Sequence, residues 1–225
     1  MSKLFLLRHF LSQWNLENRF SGWVDLPLAK NQSRKAKEIA KKIFKFKIDA
    51  IYSSPLFRNM HSVALILELA GKKYPIFIHL DKGKMRKWGN FKELDKNYIP
   101  VYISEKLNER YYGKLQGLNK KEMMKKYGFE KVRLWRRSFE IAPPGGESLK
   151  EVIERTTPFY KKYIEKDLKK GKNVLIVASH NSLRAIIKYI EKISNEDIIN
   201  VEVPFAGLIK YELDKSLKIR KKQIL

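Results

Sequence analysis

The opening run Lys3-Leu4-Phe5-Leu6-Leu7 has no polar alternation, so a strand made from it must be covered on both faces, as in a central parallel sheet. A second such run, Asn173 to Ala178, returns late in the chain. Between them, helical spacing alternates with further extended runs. Ala36, Ile39, Ala40, Ile43 and Phe44 repeat at helical intervals in a helix expected over about 31–46. Asp49 to Ser53 reads as a strand, Leu56 to Leu69 as a helix and Pro75 to His79 as a third strand. Val101 to Ile103 is short and extended, and helices are expected over 120–126 and 129–139. Ser148 with Glu151 forms a capping box that opens a long helix, with Pro158 placed to kink it. A helix over 182–192 follows the second buried run, and 208–213 and 217–224 read as edge strands. This alternation gives an α/β layered fold around a mostly parallel sheet. At 225 residues one domain is expected. The Lys-, Gly- and Asp-rich stretch at about 80–98 lacks periodicity and is expected to be an inserted loop or lid.

Composition narrows the classes of function. No cysteine is present, which excludes disulfides and thiolate metal sites, and the expected compartment is the cytoplasm. The only apolar run near the N-terminus ends at Arg8, too short for a signal peptide or a membrane span. The net charge of +24 raises the question of nucleic acid. Most of it is lysine on helical stretches such as 35–42 and 161–170, which reads as solvated helix faces, so no nucleic-acid partner is expected. The twelve arginines say more, because a guanidinium fork matches phosphate and carboxylate.

Ligands in open α/β sheets sit at the carboxyl ends of the strands. That rule brings Arg8-His9, Ser53-Ser54 and Ser179-His180-Asn181 to one side of the sheet although they are far apart in sequence. The usual phosphate-loop, dinucleotide, metalloprotease and nucleophile-elbow motifs are absent. The chemistry therefore falls to histidine, arginine and carboxylate. Imidazole attacks phosphorus well when cations neutralise the phosphoryl oxygens. His9 is the candidate nucleophile, Arg8 supplies charge beside it, and Arg58, opening the helix after the second strand, is a further candidate.

Several blocks then carry a resemblance. Leu7-Arg8-His9 with Ser12-x-Trp14-Asn15-Leu16-Glu17-Asn18-Arg19-Phe20-Ser21-Gly22-Trp23-Val24-Asp25, Leu107-Asn108-Glu109-Arg110-x-Tyr112-Gly113, Trp135-Arg136-Arg137, Pro143-Pro144-Gly145-Gly146-Glu147-Ser148-Leu149 and Asn181-Ser182-Leu183-Arg184-Ala185 together resemble the cofactor-dependent phosphoglycerate mutases of the histidine phosphatase superfamily. The blocks run through nearly the whole chain in the family's order. The resemblance implies a three-layer α/β/α fold and interconversion of 2-phosphoglycerate and 3-phosphoglycerate through a phosphohistidine, primed by 2,3-bisphosphoglycerate without a metal. It implies His9 as the phosphorylated group, with Arg8, Arg58 and His180 holding the phosphoryl and Glu109 as general acid and base. Asn15, Ser21, Gly22, Tyr112, Lys120, Arg136, Arg137 and Asn181 are implied contacts to the rest of the substrate, and a homo-oligomer, dimer or tetramer, is implied. A histidine-type phosphatase on the same fold, or a weakly active or inactive relative that binds phosphorylated ligands, are the alternatives on this reading.

The chain departs from the family at informative places. Phe10 stands where glycine normally follows the nucleophilic histidine, so its side chain is expected to point away from the phosphate. The family's His-Gly-Asn-Ser-Leu-Arg is replaced by Ser179-His180-Asn181-Ser182-Leu183-Arg184, which puts Ser179 where the second catalytic histidine stands. A bulge at the strand end is expected to bring His180 back to the phosphate. Gln13 replaces an acidic residue, and Pro204-Phe205-Ala206-Gly207 replaces Pro-Thr-Gly.

Overall fold

The computed structural model describes residues 1–71, 73–89 and 95–225. In chain order the strands are β1 (Ser2–Arg8), β2 (Ala50–Ser53), β3 (Tyr74–His79), β4 (Tyr98–Ile103), β5 (Val174–Ala178), β6 (Leu208–Leu213) and β7 (Ile219–Ile224). The helices are α1 (Gln13–Leu16), α2 (Ser33–Ile43), α3 (Phe57–Leu69), α4 (Lys84–Trp88), α5 (Lys120–Tyr127), α6 (Phe129–Arg137), α7 (Leu149–Phe159), α8 (Glu165–Lys169) and α9 (His180–Glu191). Among the described residues the strands form one sheet in the order β3-β4-β2-β5-β1-β6-β7. The pairs from β3 through β1 are parallel, and β6 and β7 are antiparallel.

The two uninterrupted apolar runs became β1 and β5, and they lie side by side in mid-sheet, buried on both faces. Their residues divide by parity. Phe5, Leu7, Leu175 and Val177 pack with Ala36, Ile39, Val63 and Ile66 of α2 and α3 on one face. Leu4, Leu6, Val174 and Ile176 pack with Phe159, Leu168, Leu183 and Ile186 of α7, α8 and α9 on the other. That is the three-layer α/β/α arrangement. Each large side chain so buried contributes about 1.5–3 kcal/mol, enough that a one-residue slip of either strand would be prohibitive.

Two expectations are corrected. Leu208 to Leu213 is not an edge strand: β6 lies between β1 and β7, and the edges are β3 and β7. Single-sequence patterning misses this because β6 acquires its second neighbour only through the terminal hairpin. The stretch at about 80–98 is not structureless, because Lys84 to Trp88 forms α4 and β4 begins at Tyr98. Residues 90–94 of that stretch lie outside the described residues. Pro158 stands in the last turn of α7, just before a π-helical turn at Tyr160–Ile164 that hands the chain on to α8.

β5 sits between β1 and β2, so the ends of these three strands come level: Arg8 is opposite Ala178, and Ser53 opposite Val177. Between β4 and α7 the chain leaves the sheet and builds α5 and α6. These pack through a small apolar cluster of their own, formed by Phe20, Leu115, Met123, Val132 and Trp135.

Candidate active site

A cavity of about 300 Å³ opens where β1, β5 and β4 end. All thirteen residues singled out from the sequence line it, together with Asn18, Arg19, Phe20, Glu202 and Phe205. Ser53 and Ser54 do not line it; both are buried beside it. Five of the twelve arginines face this one space.

His9 leaves β1 on a backbone tied from both sides. Its N–H donates to Ala178 O (3.2 Å), and its carbonyl accepts from Ala206 N (3.3 Å). The ring Nδ1 lies 2.6 Å from Phe10 O, and since a carbonyl only accepts, Nδ1 carries the proton and Nε2 keeps its lone pair. Burial, followed by the charges of Arg58 and Arg8, holds the His9 pKa well below the ordinary imidazole value. The ring is therefore neutral and nucleophilic at physiological pH. Phe10 does point away: it is fully buried in the α2–α3 layer, and its N–H is held by Ser62 Oγ at 3.2 Å.

Arg58 is 1% exposed and is fixed by the backbone, donating to Gly22 O (2.7 Å) and Val24 O (3.0 Å). Gly22 has φ +51°, and a Cβ there would fall 2.1 Å from Gln116 Oε1, which accepts from Trp23 N, so a side chain at this turn would be strained and would displace Gln116. Arg8 donates to Val203 O at 2.7 Å. Burial lowers the pKa of both guanidinium groups to about 10, so both stay charged.

Glu109 follows the short 3₁₀ turn Glu105–Leu107 that closes β4. Its carboxylate is not paired with Arg110, whose guanidinium instead donates to Trp135 O. Oε1 accepts from Asn181 Nδ2 (2.6 Å), Arg110 N (2.7 Å) and Asn181 N (3.3 Å). Burial alone would raise this carboxyl's pKa. The charge of His180, the Asn181 and Arg110 donors and Arg8 together outweigh burial and hold it below the usual range. Glu109 is thus an ionised carboxylate among cations. Its main chain is fixed as well, because Glu109 O accepts from Trp23 Nε1 (2.6 Å) and from Arg155 Nη2 (2.9 Å).

His180 reaches the cavity by a different route from the expected bulge. Ser179 has extended dihedrals as the N-cap of α9, and His180 is the first helical residue, which turns its side chain towards the strand ends. Its pKa is lowered by burial, against the pull of Glu202. The ring Nε2 lies 3.1 Å from Glu202 Oε2 but off the line of an N–H bond, so the contact is close without being an aligned hydrogen bond. Glu202 also pairs with Arg137, and His180 and Arg137 hold its carboxyl down to about 2. Ser179 itself is buried and accepts from Asn59 Nδ2 at 3.2 Å.

At the far end of the cavity stand Lys120, which opens α5, and Arg136 and Arg137, which end α6. Burial, with Arg136 and Arg8 nearby, lowers the Lys120 pKa to about 8. Tyr112 packs against Phe20 with ring centres 5.1 Å apart and planes tilted by 53°, and its hydroxyl accepts from Asn181. Asn15 accepts from both the Ser12 hydroxyl and its N–H, capping α1 at the cavity wall.

Three buried polar atoms on this wall lack an aligned hydrogen-bond partner: Arg8 Nε, Ser21 Oγ and His180 Nε2. Unpaired donors in a cation-lined space fit an anion carrying phosphate oxygens. Sequence reasoning missed Glu202 and Phe205. Both lie in an aperiodic coil between a 3₁₀ turn and β6, and no spacing rule marks such residues.

The model of the histidine phosphatase superfamily (branch 1) matches residues 4–93 and 86–219. A 2,3-bisphosphoglycerate-dependent phosphoglycerate mutase of Methanococcus vannielii is 46% identical over 220 residues, covering 97% of this chain and 94% of that protein. A protein of the same name from Protochlamydia amoebophila is 39% identical, covering 99% and 100%. Among solved structures, a mycobacterial glucosyl-3-phosphoglycerate phosphatase superposes with a TM-score of 0.76 at 20% identity, covering 100% of this chain and 98% of its own; at that identity the likeness concerns the fold.

Proposed function

Because the chain belongs to the histidine phosphatase superfamily, branch 1, we propose that it is a 2,3-bisphosphoglycerate-dependent phosphoglycerate mutase working through a phosphohistidine on His9. One observation carries this reading furthest: a neutral imidazole and an ionised carboxylate share one cavity whose cations stand at both ends. A substrate bearing a phosphate at one end and a carboxylate at the other needs that pattern.

His9 Nε2 attacks phosphorus in line while Arg8, Arg58 and His180 hold the equatorial oxygens. Bisphosphoglycerate, held between these residues and Lys120, Arg136 and Arg137, supplies the phosphoryl group that primes His9. Glu109 then takes the proton of the accepting hydroxyl as its oxygen bonds to phosphorus and the P–N bond breaks, and gives the proton back in the reverse step. Asn181 positions Glu109 as well as facing the substrate, and Tyr112, Asn15, Ser21 and the Gly22 backbone shape the space around the carbon chain. In the same reading the 225 residues work as one domain, in the cytoplasm, as copies of a homo-oligomer. The continuous sheet and the absence of cysteine support the first two.

An enolase-coupled assay with and without added 2,3-bisphosphoglycerate tests the reading. Turnover should depend on the bisphosphate and vanish in His9→Ala; wild-type turnover no greater than that of His9→Ala would defeat it. Phosphate release in the same samples measures interception by water.

A further inference from the structure

Phe205 touches both members of the Arg8-His9 pair. The guanidinium carbon of Arg8 lies 3.6 Å from the centre of the Phe205 ring, the distance of a flat stack, and the His9 ring centre is 5.8 Å away at 53°. The ring is placed by its backbone. Arg8 N donates to Gly207 O (3.1 Å), Ala206 N donates to His9 O (3.3 Å), and Arg8 Nη1 donates to Val203 O (2.7 Å). Residues 203–207 are therefore sewn to residues 8–9 on both sides of Phe205. Ala206 holds the turn at φ +54°, a left-handed conformation costly for a residue with a Cβ, and such strain persists only where the surroundings impose it.

Resting on the mutase reading above, we infer that Phe205 is a positioning residue that holds Arg8 flat for the phosphoryl group and screens the phosphohistidine on His9 from water. A guanidinium stacked on an aromatic face loses rotational freedom, so its free N–H groups, Nε among them, keep one direction. The apolar ring beside the imidazole occupies space from which water would otherwise approach.

The two fates of the phosphorylated histidine differ in the attacking oxygen. In transfer, the substrate hydroxyl oxygen bonds to phosphorus, the P–N bond breaks, its electron pair returns to Nε2, and Glu109 takes the proton. In hydrolysis, a water oxygen bonds to phosphorus, the same P–N bond breaks, and inorganic phosphate leaves. Phe205 disfavours the second fate without touching the hydroxyl that carries out the first.

The test loads the full-length protein with 2,3-bisphosphoglycerate, removes the excess, and follows the phosphate adduct by intact mass in wild type, Phe205→Ala, Phe205→Leu and Phe205→Tyr. The adduct of Phe205→Ala should decay about tenfold faster than that of wild type, as water gains the space the ring held beside phosphorus. Phe205→Leu restores bulk without the aromatic face, so adduct lifetime should recover while kcat stays low with KM little changed. Phe205→Tyr should restore both. Circular dichroism and the thermal midpoint check that each variant is folded; should Phe205→Ala not fold, the leucine and tyrosine pair carries the comparison alone. Unchanged lifetime and unchanged kcat in the folded variants would overturn the role of Phe205 alone. Absence of any adduct on wild-type His9 would overturn the mutase reading and this inference with it.

Discussion

At the phosphoryl end of the cavity, Arg8, His9, His180 and Glu109 hang from the ends of β1, β5 and β4, whereas at the far end Lys120, Arg136 and Arg137 come from α5 and α6, which join no strand. The first group is held by main-chain partners on nearly every side, and Arg58 beside it is 1% exposed. The second rests on a five-residue apolar cluster, and the Arg137 side chain is 35% exposed. Reacting atoms tolerate little misplacement, so they belong on the sheet. Charges that only gather an anionic tail can sit on a smaller, looser unit. The two ends should therefore answer mutation differently, one in kcat and the other in KM.

The largest effect is expected from Glu109→Gln, which keeps the size of the side chain and removes the base. Steady-state assays should show kcat lower by about 10²–10⁴-fold with KM nearly unchanged. Arg136→Ala removes one charged contact at the far end, and KM should rise about 10–100-fold while kcat moves far less. A fall in kcat as deep as that of Glu109→Gln would erase the distinction between the ends.

The two ends also differ in their response to pH. Lys120, whose pKa is about 8 in the free protein, loses its charge as pH rises through that value, and with it part of the grip on the anion. The profile of kcat/KM should fall above pH 8, and Lys120→Arg should carry that limb to higher pH. An alkaline limb left in place by Lys120→Arg would assign it to another group. The smallest effect is expected from Val132→Ala in the outlying cluster, at about 1–2 kcal/mol of stability read from urea unfolding. Because Val132 packs within that outlying cluster, kcat should hold while KM drifts upward.

Much of this was legible in the residues, and the failures have physical causes. The runs at 3–7 and 173–178 announce buried strands because both faces demand apolar side chains, and the helices at 33–43 and 149–159 announce themselves by spacing and by the Ser148–Glu151 box. The thirteen site residues came partly from the strand-end rule, for His9, Arg8 and His180, and otherwise from resemblance. The interior position of β6 was not legible, because strand order is set by pairing and not by any pattern within the strand. The route of His180 was misread for a related reason: whether the chain bulges or begins a helix after Ala178 depends on an N-cap, and Ser179 also fits a strand end. Phe205 stacks on Arg8 across nearly the whole chain, and Glu202 pairs with Arg137 65 residues before it, relations that no local window contains.

The buried triangle beside the cavity bears on what position 179 can hold. Asn59 Nδ2 donates to Ser54 Oγ at 2.7 Å and to Ser179 Oγ at 3.2 Å, all three residues being fully enclosed. The amide stands within hydrogen-bond distance of the Ser179 hydroxyl, so a larger side chain at position 179 would press on it. The two neighbouring positions are thus coupled: Ser179→His by itself should meet Asn59, and His180→Gly by itself should empty part of the cavity wall. Substitutions at positions 59, 179 and 180 should therefore be strongly non-additive. A serine that reads in the sequence as a mere spacer before His180 is, in the folded molecule, tied to a neighbour on another helix.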